Sequence, residues 1–416
     1  MAKPKRENRT ITVDFNDEAT YHHLCQDGQA FIEFVVAFIM SLGFQLNHKC
    51  SCPGGFALTR HSHYARVRLG GLIIWRLECQ SCGVVFTILP HFVLRYRSLN
   101  PAVAHQALLA THGGLSLEWS ATLFNLSPMS IYRLVCALGR TSLVTVLTRC
   151  QLPLPGYLLA DEKHSHCLTE KVYLPTLVEG RVIWHVGYAE DKSADAFESA
   201  YGQFQQASQT IEPTYQPHGI LTDGFASTRQ SLHRLFPASR LGNCLRHAAN
   251  RVGTQLKSVS QTVRESFSQQ FYDLFQDRLR PQANPVRSLA QKLRRFGEKV
   301  SHLAGQENGE RIRQWITRKK EGWYVLVRHP DLPPTSTLLD QAHNALDRKL
   351  FMMKGFHHPD GSQSQFLVGV ALLYNFVPYQ RRAKNAGKCG VEVQGGKLPG
   401  HDWLLNLQIL TSGGFL

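Results

Sequence analysis

The sequence predicts a multidomain protein of the mixed α/β class. The chain has 416 residues, of which 43% are hydrophobic and 19% are charged, enough apolar material for roughly two to four packed units. Between residues 157 and 252, three strand patterns are followed by helix, strand, helix and strand patterns. This order is typical of a mixed sheet whose last strands are reached by helical crossovers. The composition excludes collagen, coiled coil and wholesale disorder.

The charge balance favours a polyanionic partner. Lys and Arg number 46 against 31 Asp and Glu, a formal net charge of +15, which points to nucleic acid or an anionic membrane surface. Residues 1–45 predict a polar lead-in and a single helix over about 28–42, ended by Gly43. Its apolar run is too short to span a bilayer, and the charged N-terminus has no apolar stretch behind it. We therefore expect a cytoplasmic protein without a membrane partner.

Residues 46–95 predict a zinc-ribbon-like β module. Strand patterns flank the hairpin signal Gly70-Gly71, and two close cysteine pairs, Cys50/Cys52 and Cys79/Cys82, lie at the ends of the module. A turn carrying Cys-x-x-Cys presents two thiolates to a structural Zn²⁺ at once. The first pair has one spacer residue instead of two, so a histidine can replace one of its cysteines; the candidates are His48, His61 and His63. The alternatives are four unrelated buried thiols or a redox pair, although no βαβ context supports the latter.

Residues 100–150 predict a helix-turn-helix DNA-binding domain. Two short helical patterns, over 115–124 and 128–138, are joined by Asn125-Leu126-Ser127, with Ser127 as a helix cap and Pro128 at the first helical position. The second helix of such a motif enters the DNA major groove. Its side chains expected to face phosphates or base edges are Ser130, Tyr132 and Arg133. The alternative is an ordinary helical hairpin.

Two aspartates follow apolar strand patterns in the predicted mixed sheet. Asp161 ends YLLAD, and Asp223 ends GILTD just before Gly224. Carboxylates at the carboxyl ends of neighbouring strands are well placed to share divalent cations in a two-metal phosphoryl-transfer site. Either aspartate alone is equally well explained as a turn former at a strand end.

The segment that contains Asp223 resembles a known family. Residues 221–252 hold in order Asp223-Gly224, an amphipathic helix ending in Phe236-Pro237, and Cys244-Leu245-Arg246-His247 followed by Asn250-Arg251. This order resembles the second-acid region of bacterial insertion-sequence transposases of the DDE or DDD type and their Mutator-like relatives. The resemblance extends over about 157–380 and implies a ribonuclease H-like catalytic domain that uses Mg²⁺ or Mn²⁺.

The resemblance also divides the second half of the chain. The sequence pattern itself predicts a basic, irregular C-terminal tail over 381–416. The resemblance implies a first catalytic part over 155–252, an α-helical insertion over 253–334 and the last catalytic helices over 335–380. It expects a third acid on a helix after the insertion, where this sequence has Asp340 in place of the usual Glu, with Asp347 in reserve. Asp340 also has an alternative interpretation as the acid of a capping box started by Thr337. The role of the family pair Cys244 and His247 stays open.

Basic side chains suggest how DNA would be held. Lys163 and His164 beside the first acid are candidates for the scissile phosphate or for a solvated loop. The insertion carries a basic set with Trp315 and Trp323 between its members, which predicts either a phosphate-tracking surface or simply solvated helices: Lys292, Arg294, Arg295, Lys299, Arg311, Arg313, Arg318, Lys319 and Lys320.

The resulting expectation is a transposase. It would bind transposon ends, cleave the DNA, and join the freed 3′-hydroxyl to double-stranded target DNA, as a homo-oligomer associated with the nucleoid. Two alternatives are a zinc and helix-turn-helix regulator that binds DNA without cutting it, and a metal-dependent nuclease or resolvase that cuts without joining.

Overall fold

The chain folds into two compact units. The computed structural model describes residues 9–43, 57–95, 97–356 and 362–412. The unit that we call terminal comprises Met1–Pro153, Arg181–Ile183 and Ala345–Leu416, and the unit that we call central comprises Leu154–Gly180 and Trp184–Asn344. Both units combine helices with a sheet, in agreement with the predicted mixed α/β class.

The terminal unit begins with a four-stranded sheet and two helices. Their bounds are β1 Thr10–Val13, α1 Glu18–Gln26, α2 Gly28–Ser41, β2 Leu58–Arg66, β3 Leu72–Cys79 and β4 Val85–Pro90. The strand order is β1-β4-β3-β2, with β1 parallel to β4 and the other neighbours antiparallel. Ile11, Phe31 and Leu77 are fully buried in one core, so the N-terminal helix and the β module pack together.

The sequence predicted α2 and the hairpin but missed β1 and α1. Gly70 and Gly71 both adopt positive φ at the hairpin, as their type predicts. The first strand of the hairpin ends at Arg66, however, and residues 67–69 form a 3-10 turn instead of a strand. The strand predicted for the sequence RVRL (residues 66–69) is therefore wrong beyond its first residue, Arg66.

Among the described residues, seven further helices lie entirely in the terminal unit. They are α3 Pro101–Gly113, α4 Leu117–Phe124, α5 Pro128–Leu138, α6 Leu143–Arg149, α14 Ser362–Phe376, α15 Gly390–Val393 and α16 Trp403–Leu410. The expectation of an irregular basic tail over 381–416 is wrong for residues 403–410, which form α16 with side chains that are almost all buried. Arg149 donates hydrogen bonds to the carbonyls of Leu410 and Ser412, both at 2.6 Å. The apolar sequence WLLNLQIL accounts for this burial. Glycine pairs near it in the sequence are typical of turns and loops, which is why this helix was not predicted.

The central unit is built on a five-stranded mixed sheet. Its elements before the insertion are β5 Tyr157–Cys167, β6 Glu170–Glu179, β7 Val182–Val186, α7 Ala194–Ile211, β8 Gly219–Thr222, α8 Ala226–Leu235, β9 Arg240–Asn243 and α9 Leu245–Gln255. The strand order is β7-β6-β5-β8-β9, in which β5 is antiparallel to β6 and β5, β8 and β9 are parallel. The predicted mixed sheet with crossovers to its last strands is confirmed.

The stretch between α9 and the last helices is helical, as predicted. It contains α10 Gln261–Asp273, α11 Pro285–Ala304 and α12 Gln306–Arg328, followed by α13 Thr337–Met352. Trp315 and Trp323 lie in an aromatic cluster around Phe271, with ring centroids 5.0–5.6 Å apart. The expectation that these tryptophans lie on a basic surface is wrong, because they are on the apolar face of α12 that packs into the core.

The apolar helices of the terminal unit are short. Gly28–Ser41 has 14 residues. Pro128–Leu138 and Leu143–Arg149 reach the length and hydropathy of a membrane span only as a pair, which is bent by 64°. Within the described ranges no single helix is long and apolar enough to cross a membrane.

Candidate active site

The two strand-associated aspartates lie side by side at one edge of the parallel pairing. β5 and β8 are in parallel register from Tyr157↔Gly219 to Ala160↔Thr222, so Asp161 and Asp223 each follow the last pair. Asp223 comes directly after β8, as predicted. Asp161 does not end its strand, because β5 continues to Cys167 in antiparallel pairing with β6. Asp161 instead directly follows the last residue of β5 that pairs with the parallel strand β8.

A tight turn holds Asp223 in place. Its Oδ1 accepts a hydrogen bond from the Phe225 N–H at 2.7 Å, and Gly224 between them has a φ of +97°. A side chain at Gly224 would be strained in this conformation, so glycine is required. The Oδ1 of Asp161 accepts a hydrogen bond from the Glu162 N–H at 2.9 Å.

Asp340 belongs to the same unit as these two acids. It lies in the first turn of α13, and its Oδ2 is 3.6 Å from Nη1 of Arg246. Helix α13 begins at Thr337, so Thr337 is its first residue and not its cap. The capping-box interpretation of Asp340 therefore has no geometric basis. Asp347 falls in the terminal unit.

The three carboxylates interact electrostatically. Burial and, to a lesser degree, the charges of Asp223 and Asp340 raise the pKa of Asp161 to about 7, while His247 and the hydrogen bond from the Glu162 N–H oppose this shift. Within the part of the chain that the structure describes, no three His, Cys, Asp or Glu side chains are close enough together to bind a metal ion. The charges of Asp223 and Asp340 thus act on Asp161, but the three carboxylates do not converge on a single metal position.

Glu162 is a fourth carboxylate of this region that the sequence analysis did not assign. The Thr228 hydroxyl on α8 donates a hydrogen bond to Glu162 Oε2 at 2.6 Å. Burial raises the pKa of Glu162 to about 8. Because successive side chains of a strand point to opposite faces, Glu162 reaches α8 while Asp161 faces away from it. Its position next to Asp161 was visible in the sequence, but its partner was not.

A polar network joins the insertion to the Asp223 loop. Lys319 Nζ on α12 donates to the Gly224 carbonyl at 3.2 Å, and Asn243 Nδ2 donates to the Lys319 carbonyl at 2.9 Å. Arg229 Nη1 on α8 donates to Asn243 Oδ1 at 2.9 Å. Burial lowers the pKa of Lys319 and the Asp223 charge partly offsets this. Arg229 and Asn243 carry no sequence signal, because their roles depend on elements far apart in the chain.

Cys244 and His247 lie next to each other and act on each other's pKa. Interaction with the Cys244 sulfur as acceptor raises the pKa of His247 to about 9 against the effect of burial, and the charges of Asp161 and Asp223 contribute to the shift. Burial raises the pKa of the Cys244 thiol, but hydrogen bonds with His247 and Ser336 outweigh it and the pKa is lowered overall. Ser336, 3.5 Å from the Cys244 sulfur, directly precedes α13. The pair thus ties β9 to the segment that carries Asp340.

The predicted basic residues divide into paired and unpaired groups. Four of the nine in the insertion form ion pairs: Lys292 with Asp277, Arg294 with Glu298, Arg311 with Glu307, and Arg313 with Glu310. Beside the first acid, Lys163 is half-buried and His164 is exposed, with its ring 4.9 Å from that of Tyr173. Among the described residues of the predicted set, Lys319 is the one whose side chain is hydrogen-bonded to the Asp223-Gly224 turn.

Half of the predicted zinc site lies within the described residues. Cys79 is buried at the end of β3 and Cys82 is exposed in the following turn. The Gly83 N–H donates to the Cys79 carbonyl at 2.8 Å, and the Gln80 N–H donates to the Ala57 carbonyl at 2.9 Å. The turn therefore has the tight form expected of a Cys-x-x-Cys knuckle. Cys50, Cys52 and His48 lie outside the described residues, and His61 and His63 are exposed on β2.

The two helices of the predicted helix-turn-helix are present. Asn125 adopts a φ of +52° between α4 and α5, and the Ser127 hydroxyl accepts a hydrogen bond from the Ser130 N–H at 3.1 Å. Tyr132 differs from the expectation: its hydroxyl is 2.7 Å from that of Ser362, and its ring stacks on Phe366 at 5.0 Å. It packs α5 against α14 instead of facing a ligand, whereas Arg133 is exposed.

No model of a known protein family matches this chain, and no curated protein matches it. The function is therefore inferred from the acids and the basic side chains around them.

Proposed function

We propose that this protein is a transposase that cleaves the ends of a mobile element and joins the freed 3′-hydroxyl to target DNA. The observation that carries the proposal is the placement of Asp161 and Asp223 directly after the last pair of the parallel β5/β8 register. Asp340, in the same unit, adds its charge at Asp161. Three interacting carboxylates are what a two-metal phosphoryl-transfer site requires.

The arrangement of the central unit supports a ribonuclease H-like catalytic domain. Its sheet is mixed, with order β7-β6-β5-β8-β9. The second acid follows β8, and the third comes after the helical insertion formed by α10, α11 and α12. The order of strands, acids and insertion is the one that the family resemblance implies.

The acids suit Mg²⁺ or Mn²⁺ by their chemistry. Carboxylate oxygens are the hard ligands that these cations prefer. The pKa of Asp161 is raised by burial and by the neighbouring negative charge of Asp223, and a bound cation would offset both. Bound cations would stabilise the attacking and leaving oxygens of an in-line displacement at phosphorus. The Lys319 ammonium, fixed at the Gly224 carbonyl, would add positive charge where the phosphate is held.

The terminal unit would supply end recognition. The exposed Arg133 on α5, with Ser130 at the start of this helix, would contact DNA as the second helix of a helix-turn-helix. Cys79 and Cys82 would form half of a structural Zn²⁺ site with Cys50 and Cys52. Joining two ends of an element requires both to be held together, which favours a homo-oligomer, and the DNA substrate places the protein on the nucleoid in the cytoplasm.

One assay separates this function from its rivals. The substrate is a labelled duplex that carries the inverted repeat found in the DNA flanking the gene, mixed with a plasmid target in Mg²⁺ or in EDTA. A transposase yields cleaved ends and label joined to the plasmid, in Mg²⁺ only. Cleavage without joining indicates a nuclease or resolvase, and binding without cleavage indicates a regulator. A duplex with a scrambled repeat is the control, and equal products from it would overturn end recognition.

A further inference from the structure

A second basic feature of the central unit lies on the outer side of the sheet. A cleft of about 770 Å³ runs between α8, the edge strand β9 and α12. Its lining includes Arg229, Arg240, Arg328, His233 and His329. Among the described residues that line it, the only acid is Glu321, which is exposed. The cleft therefore carries a clear excess of positive charge.

Two of the arginines have no counter-charge. Arg240 and Arg328 are exposed, and neither makes an ion pair or a side-chain hydrogen bond with any residue that the structure describes. Burial lowers the pKa of His329, the charges of Arg240 and Arg328 lower it further, and the charge of Asp331 opposes them. Both guanidinium groups are therefore close enough to the His329 ring for their charges to act on it. Two cationic side chains close together, neither of them in an ion pair, are typical of a site for an anionic ligand.

The inner end of the cleft reaches the candidate active site. Arg229 lines the cleft, is hydrogen-bonded to Asn243 at the end of β9, and feels the charge of Asp223. Arg240 stands at the other end of the same strand. Four strand residues span about 10 Å, so the cleft is long enough to contact more than one phosphate of a DNA strand.

We propose that this cleft binds the phosphodiester backbone of a single DNA strand and leads it to Asp223. A cavity of about 770 Å³ suits a few nucleotides of one strand and is too small for a duplex. Guanidinium groups bind phosphate in a bidentate manner, and contacts to phosphate carry no sequence information, so the binding is expected to be independent of sequence. The identity of the ligand rests on the proposed function.

The test is the salt dependence of binding to a fluorescent single-stranded oligonucleotide, measured by anisotropy between about 50 and 200 mM salt. The variants are Arg240→Gln, Arg328→Gln and the double variant. Each lost phosphate contact reduces the slope of log K against log salt by about 0.7 for a single strand, so the double variant is expected to lose about 1.4. The matched control is Arg234→Gln, an exposed arginine of α8 that is already paired with Asp195 and Glu198; its slope is expected to stay unchanged.

The outcomes separate this proposal from the proposed function. An unchanged slope in the double variant, with circular dichroism showing a folded protein, overturns the proposal that the cleft binds DNA. This holds even if the wild-type protein cleaves and joins DNA. A reduced slope in the double variant supports the cleft, even if the wild-type protein shows no Mg²⁺-dependent cleavage, in which case only the proposed chemistry falls. An equal loss in Arg234→Gln would reduce the effect to general surface charge and overturn the cleft as well.

Discussion

Lys319 donates a hydrogen bond from its Nζ to the backbone carbonyl of Gly224 at 3.2 Å, although 95 residues separate the two. Gly224 follows Asp223, and Lys319 lies on α12 of the insertion. The insertion is thus attached to the loop that presents the second acid. Changes where α12 meets β9 are therefore expected to affect both the stability of the central unit and the placement of Asp223.

Gly322→Ala is expected to destabilise the central unit. A Cβ at this position of α12 would overlap the buried side-chain amide of Asn243, which is fixed by its hydrogen bonds with Arg229 and Lys319. Overpacking of this kind costs about 1–3 kcal/mol, more than the gain in helix propensity of up to about 1 kcal/mol. Thermal unfolding should show a Tm lower by several degrees.

The matched control for this variant is Gly202→Ala in α7. Its added Cβ would lie 3.7 Å from a Leu235 methyl group, an ordinary contact. It should be neutral or stabilise by about 0.5–1 kcal/mol through helix propensity. Equal Tm values for Gly322→Ala and the wild-type protein would show that α12 is not packed closely enough against the Asn243 side chain for an added methyl group to overlap it.

Asp161→Asn and Asp223→Asn are each expected to abolish Mg²⁺-dependent cleavage, with a loss of at least about 100-fold, because each removes a charged oxygen ligand. Affinity for DNA should stay nearly intact, since most of it comes from distant Lys and Arg. The control is Asp195→Asn, an exposed acid of α7 whose described partner is Arg234. Near-normal cleavage by Asp161→Asn or Asp223→Asn would leave that aspartate as a turn former only.

The sequence predicted the mixed sheet because its signals are local. Apolar strand patterns, Gly turns and amphipathic helices each reside in a short window, and the bounds of β8 and α8 followed from them. The end of β5 was missed because its second half, DEKHSHC, is polar. That half is held in a strand by pairing with β6, from Asp161↔Thr176 to Cys167↔Glu170, and pairing partners are not visible in a window.

Contacts between distant elements account for the remaining misses. Tyr132 was assigned to DNA because nothing in α5 reveals that Phe366, more than 200 residues later, stacks on its ring. Trp315 and Trp323 were assigned to a surface because the basic residues around them hid the apolar face of α12. Arg229 and Asn243 join the site only through the fold, so no motif could have singled them out.

The Cys79–Cys82 turn should bind zinc together with upstream ligands. Metal analysis of the purified full chain is expected to give about one zinc per chain, reduced below about half by Cys79→Ser or Cys82→Ser because a structural site needs four ligands. Cys25→Ser on α1 serves as the control. A content below half an equivalent in the wild-type protein, unaffected by Cys79→Ser, would leave these residues as unrelated thiols.

Lys349→Met is expected to stabilise the protein near neutral pH. The Lys349 side chain is buried, and its Nζ has no hydrogen-bond partner among the described residues. Burial lowers its pKa from 10.5 to about 7. Between pH 7 and about 10 the folded state holds the neutral amine while the unfolded chain remains protonated, so the unfolded state binds more protons and stability rises with pH.

Replacing Lys349 by methionine removes the free-energy cost of burying the ammonium group and, with it, this pH dependence of stability. Thermal unfolding at pH 7 and pH 9 should show a larger Tm gain for Lys349→Met at pH 7 than at pH 9. Lys299→Met on α11, where the lysine is exposed, should change the free energy of unfolding by no more than about 0.5 kcal/mol at both pH values and leave Tm close to that of the wild-type protein. A lower Tm for Lys349→Met than for the wild-type protein would show that the buried amino group stabilises the fold.

Asp340, rather than Asp347, is expected to be the third acid. Both belong to α13, but seven residues separate them by about 10.5 Å along the helix axis, and only Asp340 lies in the central unit with Asp161 and Asp223. Asp340 is in the first turn of α13, where the helix dipole favours a carboxylate by about 0.3–1 kcal/mol. Its charge already acts on Asp161.

Comparison of the two asparagine variants in Mg²⁺-dependent cleavage decides between them. Asp340→Asn should lose at least about 100-fold in rate, since a ligand of the reacting site is removed, and Asp347→Asn should cleave normally. Asp340→Glu tests reach, because its carboxylate is one methylene further from the helix and should retain more activity than Asp340→Asn. If Asp347→Asn is inactive while Asp340→Asn cleaves at the wild-type rate, the assignment is reversed, and Asp340 serves only as the partner of Arg246, a surface ion pair of little energetic weight.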